Sequence, residues 1–278
     1  MDDSASGFTP GNIYGMMSAT GIPPPACGCR QRGKRVRIAV ISDIHANLAA
    51  LEAVLEDIDA ENIERIISLG DNIGYGPDPE EVLLRLRERG AASIQGNHEF
   101  ALLNRAYFHR MNPDPRKSLE MTLPLLSPES IASVASLQPV MIWNGARFVH
   151  GCPPKSPTSY LFYPSVIALE KIFGAFPERL CFYGHTHTLN FFVEGLPPEQ
   201  GLEVEPGLRR LEQDRRYIIN PGSVGQPRDG INNHAKYLVW DSDRDTVTFK
   251  AVRYDVMRTV NKLRRLGFPD FNAQRLLW

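Results

Sequence analysis

Short apolar runs, each ending at a cluster of Asp, Asn, His and Gly, constrain this chain more than any other feature. The clusters read Asp43-Ile44-His45, Gly70-Asp71, Gly96-Asn97-His98-Glu99, His150-Gly151 and Gly184-His185-Thr186-His187, and they hold five of the seven histidines. Imidazole, carboxylate and carboxamide together form a mixed nitrogen and oxygen donor set suited to divalent transition metals. The donors are too many for one tetrahedral ion, which points to a pair of metals.

The runs between the clusters alternate in period. Residues 36–41 form a β-branched strand that stops at Ser42-Asp43. Leu48, Leu51, Leu55 and Ile58 then recur at helical spacing, with Glu52, Glu56, Asp57 and Asp59 opposite them. A second strand at 65–69 closes on Gly70-Asp71. A helix follows from Asp78-Pro79-Glu80 to about residue 89, with Pro in its first turn. A third short strand at 91–94 delivers Gly96, Asn97 and His98. This alternation predicts a parallel α/β sheet, in which ligands bind beyond the carboxyl ends of the strands. Asp43, Asp71 and Asn97 should therefore converge. Asp43 and His45, two residues apart, are expected to point the same way from extended backbone, and His185 and His187 repeat the spacing.

Residues 104–138 interrupt the alternation as a Pro-containing helical insertion. It carries a weak helix at 116–121 and a better one that starts at Ser127-Pro128-Glu129, with Ser127 as N-cap. Strands are expected at 146–149, 180–183, 190–193, 216–219, 235–240 and 246–252, with a helix at 166–173 and another at 255–266. Residues 194–215 read as a hairpin insertion. Residues 35–278 are expected to form one domain with the 104–138 segment as its cap. Residues 1–34, rich in Gly, Pro and Ser and without a secretory signal pattern, are expected to be a flexible tail.

Composition narrows the function classes. A net charge of −1 argues against a broad nucleic-acid surface, and no apolar run is long enough to span a membrane. Arg30, Arg32, Lys34, Arg35 and Arg37 form a basic run read as a solvated tail. The four cysteines are scattered. Cys27 and Cys29 lack a matching pair for zinc, Cys181 reads as a core residue, and Cys152 as a bystander near His150. This usage fits a reducing cytosol, hence a cytoplasmic protein.

The five clusters, in this order, resemble the signature of the calcineurin-like metallophosphoesterase superfamily across residues 36–252. The stretch from Gly70 to Pro79, with its Gly-Tyr-Gly-Pro, and the one from Asn220 to Asp229 resemble the compact prokaryotic phosphodiesterase branch often labelled diadenosine-tetraphosphatase-like. The resemblance implies a four-layer α/β/β/α sandwich of two mixed sheets flanked by helices. It implies two divalent transition metal ions drawn from Mn, Fe, Zn, Ni and Co, one held by Asp43, His45, Asp71 and His187. Asp71, Asn97, His150 and His185 would hold the other, with Asp71 bridging through its two oxygens. Such a pair clamps the attacking and leaving oxygens of an in-line displacement, so the implied activity is hydrolysis of a phosphodiester or phosphomonoester by a metal-bound hydroxide.

His98 would protonate the leaving alkoxide or stabilise charge on phosphorus. Glu99, where the family more often has Asp, would either orient that imidazole or serve as a first-turn helix acid. Asn47 is open between a phosphate contact and a helix cap, and Arg228 between a phosphate clamp and a solvated loop residue. The Gly222, Ser223 and Gly225 turn reads as letting backbone approach the metals. Tyr160, Phe162 and Tyr163 are open between core packing and a cleft roof that stacks on a nucleobase. His109 and His234 match no cluster. The implied substrate is a small phosphate ester or nucleotide. The alternatives are a protein Ser/Thr phosphatase acting on a phosphoprotein and a non-catalytic metal-binding scaffold.

Overall fold

The computed structural model describes residues 36–202 and 204–277; the expected tail, with Cys27, Cys29 and most of the basic run, lies outside the described residues. Arg37, the described member of that run, is paired with Glu61 at 2.8 Å.

The chain begins β1 (Arg37–Ile41), α1 (Leu48–Asp59), β2 (Arg65–Ser68), α2 (Pro79–Glu88) and β3 (Ala92–Ser93). Four short helices follow: α3 (Asn97–Leu103), α4 (Arg105–Arg110), α5 (Pro113–Thr122) and α6 (Pro128–Ala135). Then come β4 (Val140–Trp143), β5 (Ala146–Val149), α7 (Val166–Gly174), β6 (Leu180–Phe182), β7 (Leu189–Val193) and β8 (Gly207–Arg210). The last elements are β9 (Tyr217–Pro221), β10 (Ala235–Asp241), β11 (Thr246–Val252), α8 (Val256–Arg265) and α9 (Asp270–Gln274).

Two mixed sheets form, in the orders β3-β2-β1-β10-β11-β8 and β4-β5-β6-β9-β7. In the first, β1, β2 and β3 run parallel; in the second, β5, β6 and β9 do. Alternate residues of β1 explain the layering. Ile38 and Val40 point between the sheets and meet Phe148, Phe182 and Ile219. Ala39 and Ile41 point outward and are covered by Leu51, Val54 and Leu55 of α1. Both sets are fully buried, as a strand covered on both faces requires. On the far side, Leu169 and Phe173 of α7 cover Val149, Cys181 and Ile218. The result is the expected α/β/β/α sandwich.

Two expectations are corrected. Residues 194–215 are not a hairpin: β8 leaves the sheet of β7 and pairs antiparallel with β11 at the edge of the other sheet, before β9 returns. The insertion holds more helix than expected, since α4 precedes a longer α5. Its Ile73-facing side packs Ala101 and Leu119, with Tyr107, Phe108 and Met111 against them. Ser127 does cap α6, accepting from the Ser130 N–H at 3.1 Å. The Glu80 carboxylate moors the cap by accepting from the Ser127 N–H and Oγ and from Ser130 Oγ at 2.8–2.9 Å. Among the described residues no helix is long and apolar enough to cross a membrane.

Candidate metal centre

Parallel strands in both sheets bring their carboxyl ends to one edge of the sandwich. β1 delivers Asp43 and His45, β2 delivers Asp71, and β3 leads into Asn97 and His98. From the other sheet β5 delivers His150, β6 delivers His185 and His187, and the loop after β9 carries Arg228. The seven expected ligands are all buried, from 0% exposure at Asp43 and His150 to 6% at Asn97. Ligand atoms of Asp43, His45 and His187 lie within 4.8 Å of one another, as do those of Asp71, His150 and His185.

The hydrogen bonds around the histidines fix which nitrogen faces the centre. His45 Nδ1 bonds the Ile73 carbonyl at 3.2 Å, His187 Nδ1 that of Gln226 at 2.6 Å, His150 Nδ1 that of Leu69 at 2.9 Å, and His185 Nε2 that of Thr158 at 3.2 Å. A carbonyl oxygen only accepts, so each outer nitrogen carries its proton and each inner one presents a lone pair when the ring is neutral. Those inner atoms crowd together. His45 Nε2 lies 3.1 Å from His187 Nε2, and His150 Nε2 lies 3.2 Å from both His185 Nδ1 and Asn97 Oδ1.

The carboxylates are divided in the same way. Asp43 Oδ2 accepts from Ser42 Oγ at 2.6 Å and from the His185 N–H at 3.0 Å, while its buried Oδ1 has no hydrogen-bond partner. Asp71 Oδ1 accepts from the His98 N–H at 2.9 Å. Its Oδ2 faces inward, 3.3 Å from His150 Nε2 and 3.7 Å from His45 Nε2. A buried carboxylate oxygen without a donor, beside crowded imidazole nitrogens, is costly, and divalent cations supply what this set lacks. Asp71 Oδ2 is thus the oxygen that faces the imidazoles of both groups.

Electrostatics agree. Burial works against a charged His150, yet Asp71 and then Asp43 push it up to about 9. Burial would likewise raise Asp43, but His187 outweighs it and holds the carboxyl well below its usual range. His185 is pushed down to about 3, first by burial and then by His150.

The backbone departs from expectation. Asp43 and His45 have φ of 52° and 49°, Asp71 53°, and His185 and His187 69° and 60°. They converge through left-handed kinks rather than from extended backbone, each costing about 1–2 kcal/mol. Long-range bonds hold the kinks: Asp43 N–H to Gly70 O at 3.1 Å, His45 N–H to Asp71 O at 2.9 Å and Gly225 N–H to Asp43 O at 3.0 Å. Gly225 sits so close that an added Cβ would strike the Ile44 carbonyl, consistent with a turn that lets backbone approach.

The residues around the donors separate into those still available and those already used. Glu99 accepts from the N–H groups of Asp71, Asn72 and Gly96 at 2.7–2.9 Å, so it braces the Asp71 loop and its own helix rather than the His98 ring. Desolvation and then the Asp71 charge raise its carboxyl to about 7. The His98 ring packs instead against Tyr75 and His45, at 4.9 Å from each. Its Nε2 lies 4.0 Å from Asp71 Oδ2 and its buried Nδ1 is unpartnered.

Asn47 caps α1 by accepting from the Ala50 N–H at 3.2 Å. It also accepts from Thr259 Oγ1 and donates to Gly225 O and Tyr254 Oη. No atom is left for a phosphate, so geometry favours the cap over substrate binding. Arg228 donates to Gln226 Oε1 at 2.5 Å, and its buried Nε has no partner. Cys152 is half-buried beside the site and Cys181 lies in the core of β6. His109 is exposed and bonds Arg105.

These groups open on a cavity of about 160 Å³, walled by Asp71, Asn97, His98, His185, His187 and Arg228. Tyr75, Tyr107, Arg110, Met111 and Asn112 also line it, none of them singled out in the sequence. Residues of the 104–138 insertion thus line the cavity. Tyr160 does not offer a stacking face, however. It lies 3.7 Å from the His185 ring at 17° and 4.7 Å from Phe162 at 10°. Two near-parallel rings at those distances occupy its opposite faces. Tyr163 is 84% exposed and forms no part of the cavity wall.

Residues 36–245 match the family model described as the calcineurin-like phosphoesterase superfamily domain. An uncharacterized protein of Methanocaldococcus jannaschii is 33% identical over 245 residues, covering 86% of this chain and 96% of its own. The crystal structure of a metallophosphoesterase from Sphaerobacter thermophilus is similar with a TM-score of 0.76 and 36% identity, over 87% of this chain and 98% of its own. A hypothetical protein from Pyrococcus horikoshii, with a TM-score of 0.70 at 20% identity over 87% and 97% of the chains, shares the fold.

Proposed function

The chain belongs to the calcineurin-like phosphoesterase superfamily, and from that premise we propose that it binds two divalent cations and hydrolyses a small phosphate ester. Four inward imidazole nitrogens and two inward carboxylate oxygens converging on one buried point are the observation that carries this reading. Asp43, His45, Asp71 and His187 would hold one cation, and Asp71, Asn97, His150 and His185 the other. When bound, the cations would activate a water and offset charge on the phosphate.

The chain's own groups do the rest. Arg228, through its unpartnered Nε and its guanidinium edge, clamps non-bridging phosphate oxygens. His98 carries its proton on Nε2 in this reading, because its buried Nδ1 has no partner and Asp71 Oδ2 lies on the Nε2 side. That places a donor at the cavity wall for the leaving oxygen. Glu99 and the bonds across the strand exits hold Asp71 at the shared position. The cavity of about 160 Å³ supports a small molecule over a phosphoprotein segment.

Asp71→Ala should remove both cations and all hydrolysis, measured by elemental analysis and by a panel of aryl phosphate mono- and diesters. A wild-type protein that takes up no divalent metal, or hydrolyses no ester once loaded, would end this reading.

A further inference from the structure

Building on the phosphoesterase reading, we propose that this site selects esters whose alcohol portion carries a second anionic group, a carboxylate or another phosphate, and that Arg110 of α4 binds it. The cavity wall combines the expected ligands with Tyr107, Arg110, Met111 and Asn112 of the insertion. Two guanidinium groups line it, Arg228 after β9 and Arg110 of α4, and no carboxylate lines it besides Asp71. Arg147, Arg179 and Arg216, away from the cavity, are instead paired with Glu178 at 2.9 Å, Asp245 at 2.7 Å and Glu194 at 3.0 Å. Arg228 is used by the scissile phosphate, which leaves Arg110 for a different anion.

Two further observations point the same way. The stretch around Arg110 is basic: residues 104–122 hold Arg105, Arg110, Arg116 and Lys117 against Asp114 and Glu120, with Glu129 the remaining acid of the insertion, and the Glu120 charge is partly spent on Lys117 at 3.6 Å. Two of the three tyrosine rings at the cavity are committed, while Tyr107 meets Phe100 edge-on at 5.3 Å. Tyr160 is sandwiched between His185 and Phe162, and Tyr75 lies against His45, His98 and the Arg228 guanidinium. Arg110 is then the charged group of the insertion that can meet the alcohol portion.

The test compares 3-phosphoglycerate with glycerol 3-phosphate, which differ by a carboxylate in place of a hydroxymethyl group. The metal-loaded wild-type protein should show a kcat/KM at least about tenfold higher for 3-phosphoglycerate, the worth of one charge-assisted bond. Arg110→Ala should collapse that ratio toward one, and Arg110→Lys should restore part of it. Calorimetric titration of both compounds reads the same preference without turnover. Hydrolysis of both esters without preference would overturn the Arg110 subsite and leave the phosphoesterase reading standing. Preferential, Arg110-dependent binding with no hydrolysis of any ester would support the subsite and overturn that reading. An equal loss for both compounds in Arg110→Ala would also overturn the subsite.

Discussion

Gly74→Ala isolates the part played by His98. Gly74 has φ of +82°, and a Cβ built there would overlap His98 Nδ1 and lie 2.8 Å from Cε1 and 3.1 Å from Cγ of the same ring. Ordinary contact begins at 3.4 Å, so the ring or the loop must give by at least about 0.6 Å at Cε1 and more at Nδ1. The left-handed backbone adds about 1 kcal/mol for a non-Gly residue, and the overlap brings the total to about 1–3 kcal/mol. A folded protein should survive that. A ring displaced by on the order of 1 Å should nevertheless lower turnover about a hundredfold. Urea unfolding, elemental analysis and kcat on an aryl phosphate, measured together, separate the effects. His98→Ala serves as control, because it removes the ring without disturbing the Ile73 carbonyl that holds His45. Cation content should stay at the wild-type value in both variants. Wild-type turnover in a folded, metal-replete Gly74→Ala protein would refute the placement of His98 at the reacting atoms. Loss of one cation equivalent would instead make His98 a ligand with Asp71 and His45, a grouping that geometry also permits.

Tyr160→Phe should leave metal affinity unchanged, since the stack uses the ring, whereas Tyr160→Ala should weaken one cation about tenfold by freeing His185; equal affinities by competitive chelation would count against the stack. Asn47→Ala should destabilise by about 2–4 kcal/mol through loss of a cap and orphaning of Thr259 and Gly225 groups. A stable Asn47→Ala protein that had merely lost activity would revive the phosphate contact. His150, raised to about 9 by Asp71 against the effect of burial, holds a proton at neutral pH in the cation-free protein. Metal uptake at pH 7 should therefore release about one proton from it, and apparent affinity should rise with pH until about 9. Calorimetry in buffers of different ionisation enthalpy checks this, and an absence of proton release would contradict it.

The donor set and most of the sandwich were legible because both rest on residue type and period. Alternation in β1, the helical spacing of Leu51 and Leu55, and Asp or His at each strand exit are local facts. The kinks were not legible. Asp43, His45 and His187 adopt φ near +50° to +60° because amide groups are captured from other strand exits, such as Asp43 N–H by Gly70 O. No window of sequence carries that capture. The destination of β8 was hidden for a related reason: Gly207–Arg210 shows no preference between two sheet edges, and only the free edge of β11 decides. Glu99 misled through adjacency. Neighbouring helical residues do not face each other, so Glu99 points at the Asp71 loop while His98 points into the cavity.

Saturation of hydrogen-bonding atoms then separates the alternatives that residue type leaves open. Asn47 and Glu99 are polar, buried and beside the centre, yet their acceptor and donor atoms are all spoken for, which makes them braces. Asp43 and Asp71 spend one oxygen each on the protein and turn the other inward. The four histidines do the same with their two nitrogens. Arg228 keeps Nε free, and Arg110 lines the same cavity. An atom that the fold has already satisfied gains little from a ligand, whereas one held in place without a partner gains the full bond. On the proposed reading the unspent atoms would trace the path of the substrate, from the inward Asp71 oxygen, past Arg228 and His98, to Arg110.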